Sequence, residues 1–207
     1  MRIKESDTVL FFGDSITDCG RDRSNPEGLG NGYVLLIASR LQEKLRSHSL
    51  RVFNRGISGD RVQDLEARLE QDVIALRPTV VSILIGINDT WRRYDQGIES
   101  PIAQFKTCYG RILRRIHSEL EARIVLLEPF LLPVPEDRRS WREDLNPRID
   151  AVRELAMEHR AELLPLDGLF AAAACEASPE FWLPDGVHPS PAGHALIADV
   201  WMRKVAK

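Results

Sequence analysis

Five short apolar runs punctuate the chain: Thr8–Phe12, Leu50–Asn54, Val80–Ile85, Ile124–Leu127 and Glu162–Leu166. They are rich in β-branched residues, and three are nearly continuous in Val, Ile and Leu. A sheet covered on both faces needs that pattern, whereas a half-exposed sheet would alternate. Between the runs lie helical periods. Val34, Ile37, Leu41 and Leu45 form one stripe; Val62, Leu65, Leu69, Val73 and Leu76 form a second; Ile102, Phe105, Tyr109, Ile112, Ile116 and Leu120 form a third. Leu145, Ile149, Val152 and Ala156 make a fourth, with Pro147 either kinking it or marking its first turn. Ser100-Pro101 and Ser190-Pro191 read as N-cap and first-turn pairs for the third and last helices, and Leu196, Val200 and Trp201 fall on the inward side of the last one.

Strands alternating with helices predict βαβ units, and right-handed crossovers then place helices on both faces. The expected fold class is α/β, a three-layer sandwich around a parallel sheet. No linker or repeat interrupts residues 1–207, so one domain is expected. Leu131–Arg142 carries two prolines and a charge cluster, and is the expected mobile loop beside the functional edge.

Composition narrows the partners. Of 207 residues 43% are apolar and 29% charged, the mix of a globular protein with one sizeable core. A net charge of −3 gives no footprint for nucleic acid. No run of eighteen apolar residues occurs, so no membrane span is expected, and the N-terminal MRIKESDT lacks the apolar core of a secretory signal. Cys19, Cys108 and Cys175 are odd in number and far apart, which argues against a disulfide framework and a zinc site; no metal is expected, and a cytoplasmic location is. Cys19 reads as a small packing residue rather than a nucleophile.

The candidate chemistry begins at the first strand. Val9–Phe12 runs into Gly13-Asp14-Ser15, a tight turn that presents a hydroxyl at the carboxyl edge of the sheet, where open α/β proteins place their sites. A serine needs a base, usually a histidine oriented by a carboxylate. It also needs donors for the developing oxyanion, each worth about 2.7–4 kcal/mol in a comparable protease. His48, His117 and His159 fall near the ends of polar helices, and His194 in the first turn of the last helix. His188 lies in a proline-flanked loop, three residues after Asp185, a spacing that lets the loop fold the carboxylate back onto Nδ1; an ordinary turn is the alternative. Donors are available after two further strands. Asn54-Arg55-Gly56-Ile57-Ser58-Gly59-Asp60 has two glycines that let backbone N–H groups turn inward, with Asp60 and Gln63 placed to cap the next helix. Gly86-Ile87-Asn88-Asp89 places an amide at a strand end, where a helix cap or Asx turn is the alternative. Asp14 reads as a brace for the turn or a substrate contact, Asp18 and Arg21 as an ion pair beneath the site, and Trp91 as a sugar-binding wall or as packing under the loop.

These blocks resemble the GDSL-type, or SGNH, hydrolases: Gly13-Asp14-Ser15-Ile16, Gly59, Gly86-x-Asn88-Asp89 and Asp185-x-x-His188, with Ile16 where many members have leucine. The resemblance implies Ser15 as nucleophile, His188 as base and Asp185 as its orienting carboxylate. It implies an oxyanion hole of the Ser15 N–H, the Gly59 N–H and the Asn88 amide, a five-stranded parallel sheet, and no cofactor or metal. FFGDSITDCGR, NRGISGDRVQDL, VSILIGINDTWRRYD and DGVHPSPAGH look most like cytoplasmic bacterial acetylxylan esterases, implying acetylated xylo-oligosaccharides as substrate and a homo-oligomer in which Trp201 is a candidate contact. Core packing is the alternative for Trp201. Pro184 replaces the tryptophan those enzymes carry before the aspartate, in the wall of the acyl pocket, with Trp182 two positions earlier.

A lysophospholipase or thioesterase is the rival enzyme reading, and a non-catalytic carbohydrate-binding relative the rival of another class. The chain lacks the G-x-S-x-G elbow of α/β-hydrolases and the G-x-x-x-x-G-K-[ST] phosphate loop.

Overall fold

In the computed structural model, which describes residues 2–206, the five apolar runs become strands β1 (Thr8–Gly13), β2 (Arg51–Gly56), β3 (Val80–Leu84), β4 (Arg123–Leu127) and β5 (Glu162–Leu164). All pair in parallel, in the order β2-β1-β3-β4-β5. The strand ends are level: Gly13 pairs with Gly56 on one side and Leu84 on the other, and Leu84 pairs with Leu127. The chain leaves β1 to build β2 on one flank, then returns to build β3 on the other. That reversal opens a crevice at the carboxyl ends of β1 and β3.

Near-continuous apolar strands are explained by two cores. Val9 and Phe11 face one side with Val80, Val125 and Leu127. They meet α2 (Tyr33–Leu45) and α9 (Pro191–Val205), which pack together on that face. Leu10 and Phe12 face the other side with Val81, Ile83 and Leu126. There they meet α3 (Val62–Asp72) and α5 (Ile102–Glu119). Helix α6 (Arg142–Glu158) gives Leu145 and Ile149 to the first core and Val152 and Leu155 to the second. Shorter helices follow the strand ends: α1 (Ser15–Asp18), α4 (Ile87–Gln96), α7 (Leu166–Ala173) and α8 (Pro179–Trp182).

Several local expectations are corrected. The second stripe does not continue to Leu76: α3 stops at Asp72, and Ile74–Leu76 tightens into a 3-10 turn. Arg61, not Asp60, is the N-cap of α3, and Asp64 accepts from the Arg61 N–H at 2.8 Å. Ser100 does not cap α5, because its hydroxyl is spent on Asp89 at 3.1 Å, and Pro101 takes the cap position. Ser190 does cap α9, accepting from the Gly193 N–H at 3.2 Å. Pro147 lies inside α6, which begins five residues earlier. Leu131–Arg142 is anchored at both ends: Leu131, Leu132, Val134 and Trp141 are buried, while Pro135, Glu136, Asp137, Arg139 and Ser140 are exposed, and Glu136–Trp141 forms a 3-10 turn. Trp201 is fully buried, with its indole N–H donating to Ser82 at 3.1 Å; it is core, not an oligomer contact.

Candidate active site

The Gly13-Asp14-Ser15 turn is shaped by its neighbours on the sheet. A Cβ on Gly13 would lie 2.4 Å from the Leu84 carbonyl, so only glycine lets β1 and β3 end this close. Asp14 then caps α1, accepting from the Ile16 N–H at 3.0 Å, and Ser15 becomes its first residue. Asp14 is fully buried and offers no surface to a substrate; of its two earlier readings, the brace is the one the geometry permits. Its other carboxyl oxygen has no partner among the described residues, and burial pushes its pKa up to about 7.

Ser15 Oγ lies 3.0 Å from His188 Nε2, although 173 residues separate them in the chain. Asp185 Oδ2 lies 2.7 Å from His188 Nδ1. The other Asp185 oxygen accepts from the Val187 N–H at 3.0 Å and the His188 N–H at 2.7 Å, which curls the loop onto its own carboxylate. Against a desolvation penalty that acts upward, those hydrogen bonds hold the Asp185 pKa well below the usual carboxylate range. The Asp185 hydrogen bond raises the proton affinity of His188, with burial opposing it. An Nδ1–H held by Asp185 leaves Nε2 free to accept from the serine, the tautomer a general base requires.

Gly59 has φ +91°, a conformation that disfavours any side chain. Its loop is tied to both neighbouring strand ends. The Ile57 N–H donates to the Gly13 carbonyl at 3.0 Å, and the Asn88 amide donates to the Asp60 carbonyl at 3.0 Å. One of the two Asn88 amide protons is thereby used and the other is left for a ligand. Asn88 and Asp89 lie in the first turn of α4, and Asp89 accepts from the Val62 N–H at 3.1 Å, pinning α4 to α3. Burial raises the Asp89 pKa to about 6.

Other expected residues are placed differently. Asp18 pairs with Arg23 at 2.6 Å, while Arg21 turns to the Gly56 carbonyl at 2.8 Å, so the ion pair beneath the site has a different cation. Cys19 is half-buried and lies 3.3 Å from Nε2 of the buried His194, whose Nδ1 accepts from the Tyr33 N–H. That acceptance leaves the proton on Nε2, so His194 donates to the thiol and does not deprotonate it. Burial raises the Cys19 pKa and lowers that of His194 to about 4. His48 and His117 are exposed and His159 is half-buried, away from the serine. Trp91 is half-buried, its ring centroid 5.7 Å from that of His188 and 5.4 Å from that of Trp141. Pro184 is exposed beside Asp185, and the Trp182 indole is anchored to the Ala173 carbonyl at 2.9 Å.

Two arginines that sequence reasoning missed complete the surroundings. Arg68 binds Asp60 at 2.7 Å, the Arg55 carbonyl at 2.8 Å and the Gly13 carbonyl at 3.0 Å. Arg138 donates to the Asp185 carbonyl. Each reaches backbone carbonyls distant in the chain, and no local spacing announces such a contact. A serine hydroxyl and an oriented base, with the Gly59 loop and Asn88 tied to neighbouring strand ends, suit acyl transfer.

Comparison with known proteins gives the same picture. Residues 11–196 match the GDSL-like lipase/acylhydrolase family. An acetylxylan esterase from Geobacillus stearothermophilus is 37% identical over 99% of this chain and 96% of its own length. Its crystal structure superposes with a TM-score of 0.91, at 34% identity, covering 100% of this chain and 97% of that one. A structure from Parabacteroides merdae assigned as a GDSL-like lipase superposes with a TM-score of 0.93, at 36% identity, covering 98% and 97%.

Proposed function

The chain belongs to the GDSL-like lipase/acylhydrolase family and is a carboxylic ester hydrolase, and from that premise we propose that it removes short acyl groups, acetyl first, from a carbohydrate through an acyl-enzyme on Ser15. The reading rests above all on one geometry: a serine hydroxyl 3.0 Å from an imidazole whose far nitrogen is 2.7 Å from a carboxylate.

His188 Nε2 takes the hydroxyl proton as Ser15 Oγ attacks the ester carbonyl. Asp185 stabilises the imidazolium that forms. The oxyanion is held by the Ser15 N–H, the Gly59 N–H and the free proton of the Asn88 amide. Collapse expels the alcohol, which takes its proton from His188, and leaves an acyl-Ser15 ester. Water, deprotonated by the same imidazole, then releases the acid.

Acetylated xylo-oligosaccharides are the proposed substrate, supported by the name of the relative that matches along the whole chain. The proposal places this chemistry in one domain, in a reducing cytoplasm that suits three unpaired cysteines, and in a homo-oligomer to which the buried Trp201 contributes nothing. Ser15→Ala assayed with p-nitrophenyl acetate is the direct test. Loss of at least about 10³-fold in kcat is expected, and near wild-type turnover would remove Ser15 from the mechanism. A p-nitrophenyl ester series from C2 to C12 tests the acyl preference. Activity is expected to fall with length, and a rise would favour the lysophospholipase or thioesterase reading.

A further inference from the structure

Resting on the serine-esterase reading above, we propose that Arg138 is a positioning residue for the reaction, clamping the loop that carries Asp185 and His188 and presenting a fixed positive charge to the imidazole. Arg138 lies in the 3-10 turn between β4 and α6, outside every block that marks the family resemblance. Its guanidinium carbon is 4.4 Å from the ring centroid of Trp91 and 4.7 Å from that of Trp141. A planar cation held against two indoles has little freedom left to lose. Trp141 is itself fixed, stacked on Tyr94 at 5.3 Å and 12°, and the Tyr94 hydroxyl donates to the Ser140 carbonyl at 3.0 Å.

From that seat Arg138 donates to the Asp185 carbonyl. Beside it the Leu132 N–H donates to the Gly186 carbonyl at 2.9 Å. A Cβ on Gly186 would lie 2.4 Å from the carbonyls of both Leu132 and Val134, so the two segments touch backbone to backbone. The loop holding Asp185 and His188 is thus gripped from the segment that follows β4. His188 and Asp185 are themselves 45% and 40% exposed, and solvent alone would not hold them in register.

The charge matters as well as the grip. Among the described residues Arg138 has no carboxylate within ion-pair distance. The groups that act on the His188 charge are Asp185 on its own loop, Asp14 from the β1 turn, Arg138 from the 3-10 turn and His194 from α9. The two carboxylates favour the imidazolium. Arg138 opposes them, keeping the base neutral to lower pH.

The test is the pH profile of kcat and KM on p-nitrophenyl acetate for wild type, Arg138→Met and Arg138→Lys. In the methionine variant kcat is expected to fall roughly tenfold with KM within about twofold, since orientation and not binding is lost. Its acid limb is expected to move to higher pH, because the imidazolium has lost its repelling neighbour. The lysine variant keeps the charge without the fork: the acid limb returns toward wild type while kcat stays low. Two results would overturn the proposal: wild-type kcat and acid limb in Arg138→Met, or a fall in melting temperature and kcat with the limb unmoved, which is packing alone. If Arg138→Met does not fold, Arg138→Lys decides, and wild-type kcat there removes the clamp. Full activity of Ser15→Ala would instead sink the serine-esterase reading, and this inference with it.

Discussion

Replacing Asp185 by asparagine isolates a charge while keeping the shape. The asparagine carbonyl still accepts from the Val187 and His188 N–H groups, which Asp185 now binds at 3.0 and 2.7 Å. What changes is the atom facing His188 Nδ1, an oxygen at 2.7 Å in the wild type. An NH2 there forces the imidazole into the opposite tautomer, with a proton on Nε2 pointing at Ser15. Charge stabilisation of the imidazolium is lost as well. A unit pair 2.7 Å apart is worth about 1.5 kcal/mol at an effective dielectric near 80 and about 6 near 20. With the two side chains 40% and 45% exposed, screening places the pair in the lower half of that interval. That lower half, about 1.5–3.8 kcal/mol, is at 1.36 kcal/mol per decade a fall of about 10- to 600-fold in kcat/KM for p-nitrophenyl acetate. That is less than the ~10⁴ of a fully buried triad, whose aspartate cannot be replaced by water. The sign of the pH effect follows from the same contact. Asp185 raises the proton affinity of His188, so its neutralisation lowers it, and the acid limb of kcat/KM must move to lower pH. Arg138→Met is expected to move it the other way. A loss smaller than tenfold, or an acid limb that stays or rises, would refute the role given to Asp185.

The remaining predictions concern the frame. Gly59→Ala puts a side chain at φ +91° and is expected to cost about 1–2 kcal/mol in urea unfolding and to lower kcat more than it raises KM; unchanged stability and kcat would show that the N–H is not held by this conformation. Asp14 has a folded pKa near 7, above its ordinary 3.8. The folded state therefore holds the proton longer, so stability is lost as pH rises from about 4 to about 7, by up to roughly 4 kcal/mol; Asp14→Asn should flatten that slope, and an identical slope in the variant would place the buried charge elsewhere. Trp201→Phe removes the bond to the fully buried Ser82 and shrinks the core, and a loss of about 2–4 kcal/mol is expected from chemical denaturation, with none refuting its core position.

The layers of the fold were legible because burial dictates residue type. Strands with both faces covered must be apolar nearly throughout, and β1 and β3 are, apart from Thr8 at one end and Ser82, whose hydroxyl accepts from the Trp201 indole. The serine, the Asp185-x-x-His188 loop and the two donor loops were legible because each follows a strand or precedes a helix, where chain geometry limits the residues that fit. Failures occurred where a tertiary contact outcompeted a local rule. Ser100 is a good cap in isolation, but Asp89 offers its hydroxyl a buried acceptor. Arg21 follows Asp18 closely, yet Arg23 reaches the carboxylate and Arg21 finds a carbonyl of β2. In Leu131–Arg142 prolines and charges dominate the composition, while the buried residues anchor only its two ends, Leu131, Leu132 and Val134 at one and Trp141 at the other.

The same distinction bears on how the site keeps its shape. Its parts hang from separate strand ends, and past those ends the sheet ladder gives way to isolated backbone bonds such as Ile57 N–H to the Gly13 carbonyl and Leu132 N–H to the Gly186 carbonyl. Cross-links supply what the sheet does not. Arg68 joins the ends of β1 and β2 to the Gly59 loop, Asn88 joins that loop to β3, and Arg138 joins the segment after β4 to the Asp185 loop. All of these but the Arg68–Asp60 ion pair end on a backbone carbonyl, an acceptor present whatever the residue type. Asp60 apart, the receiving positions therefore need no particular side chain to accept these bonds, and the donors do. It follows that the precision of the site is encoded in two arginines and one amide, and both arginines lie outside the motifs that announce the chemistry.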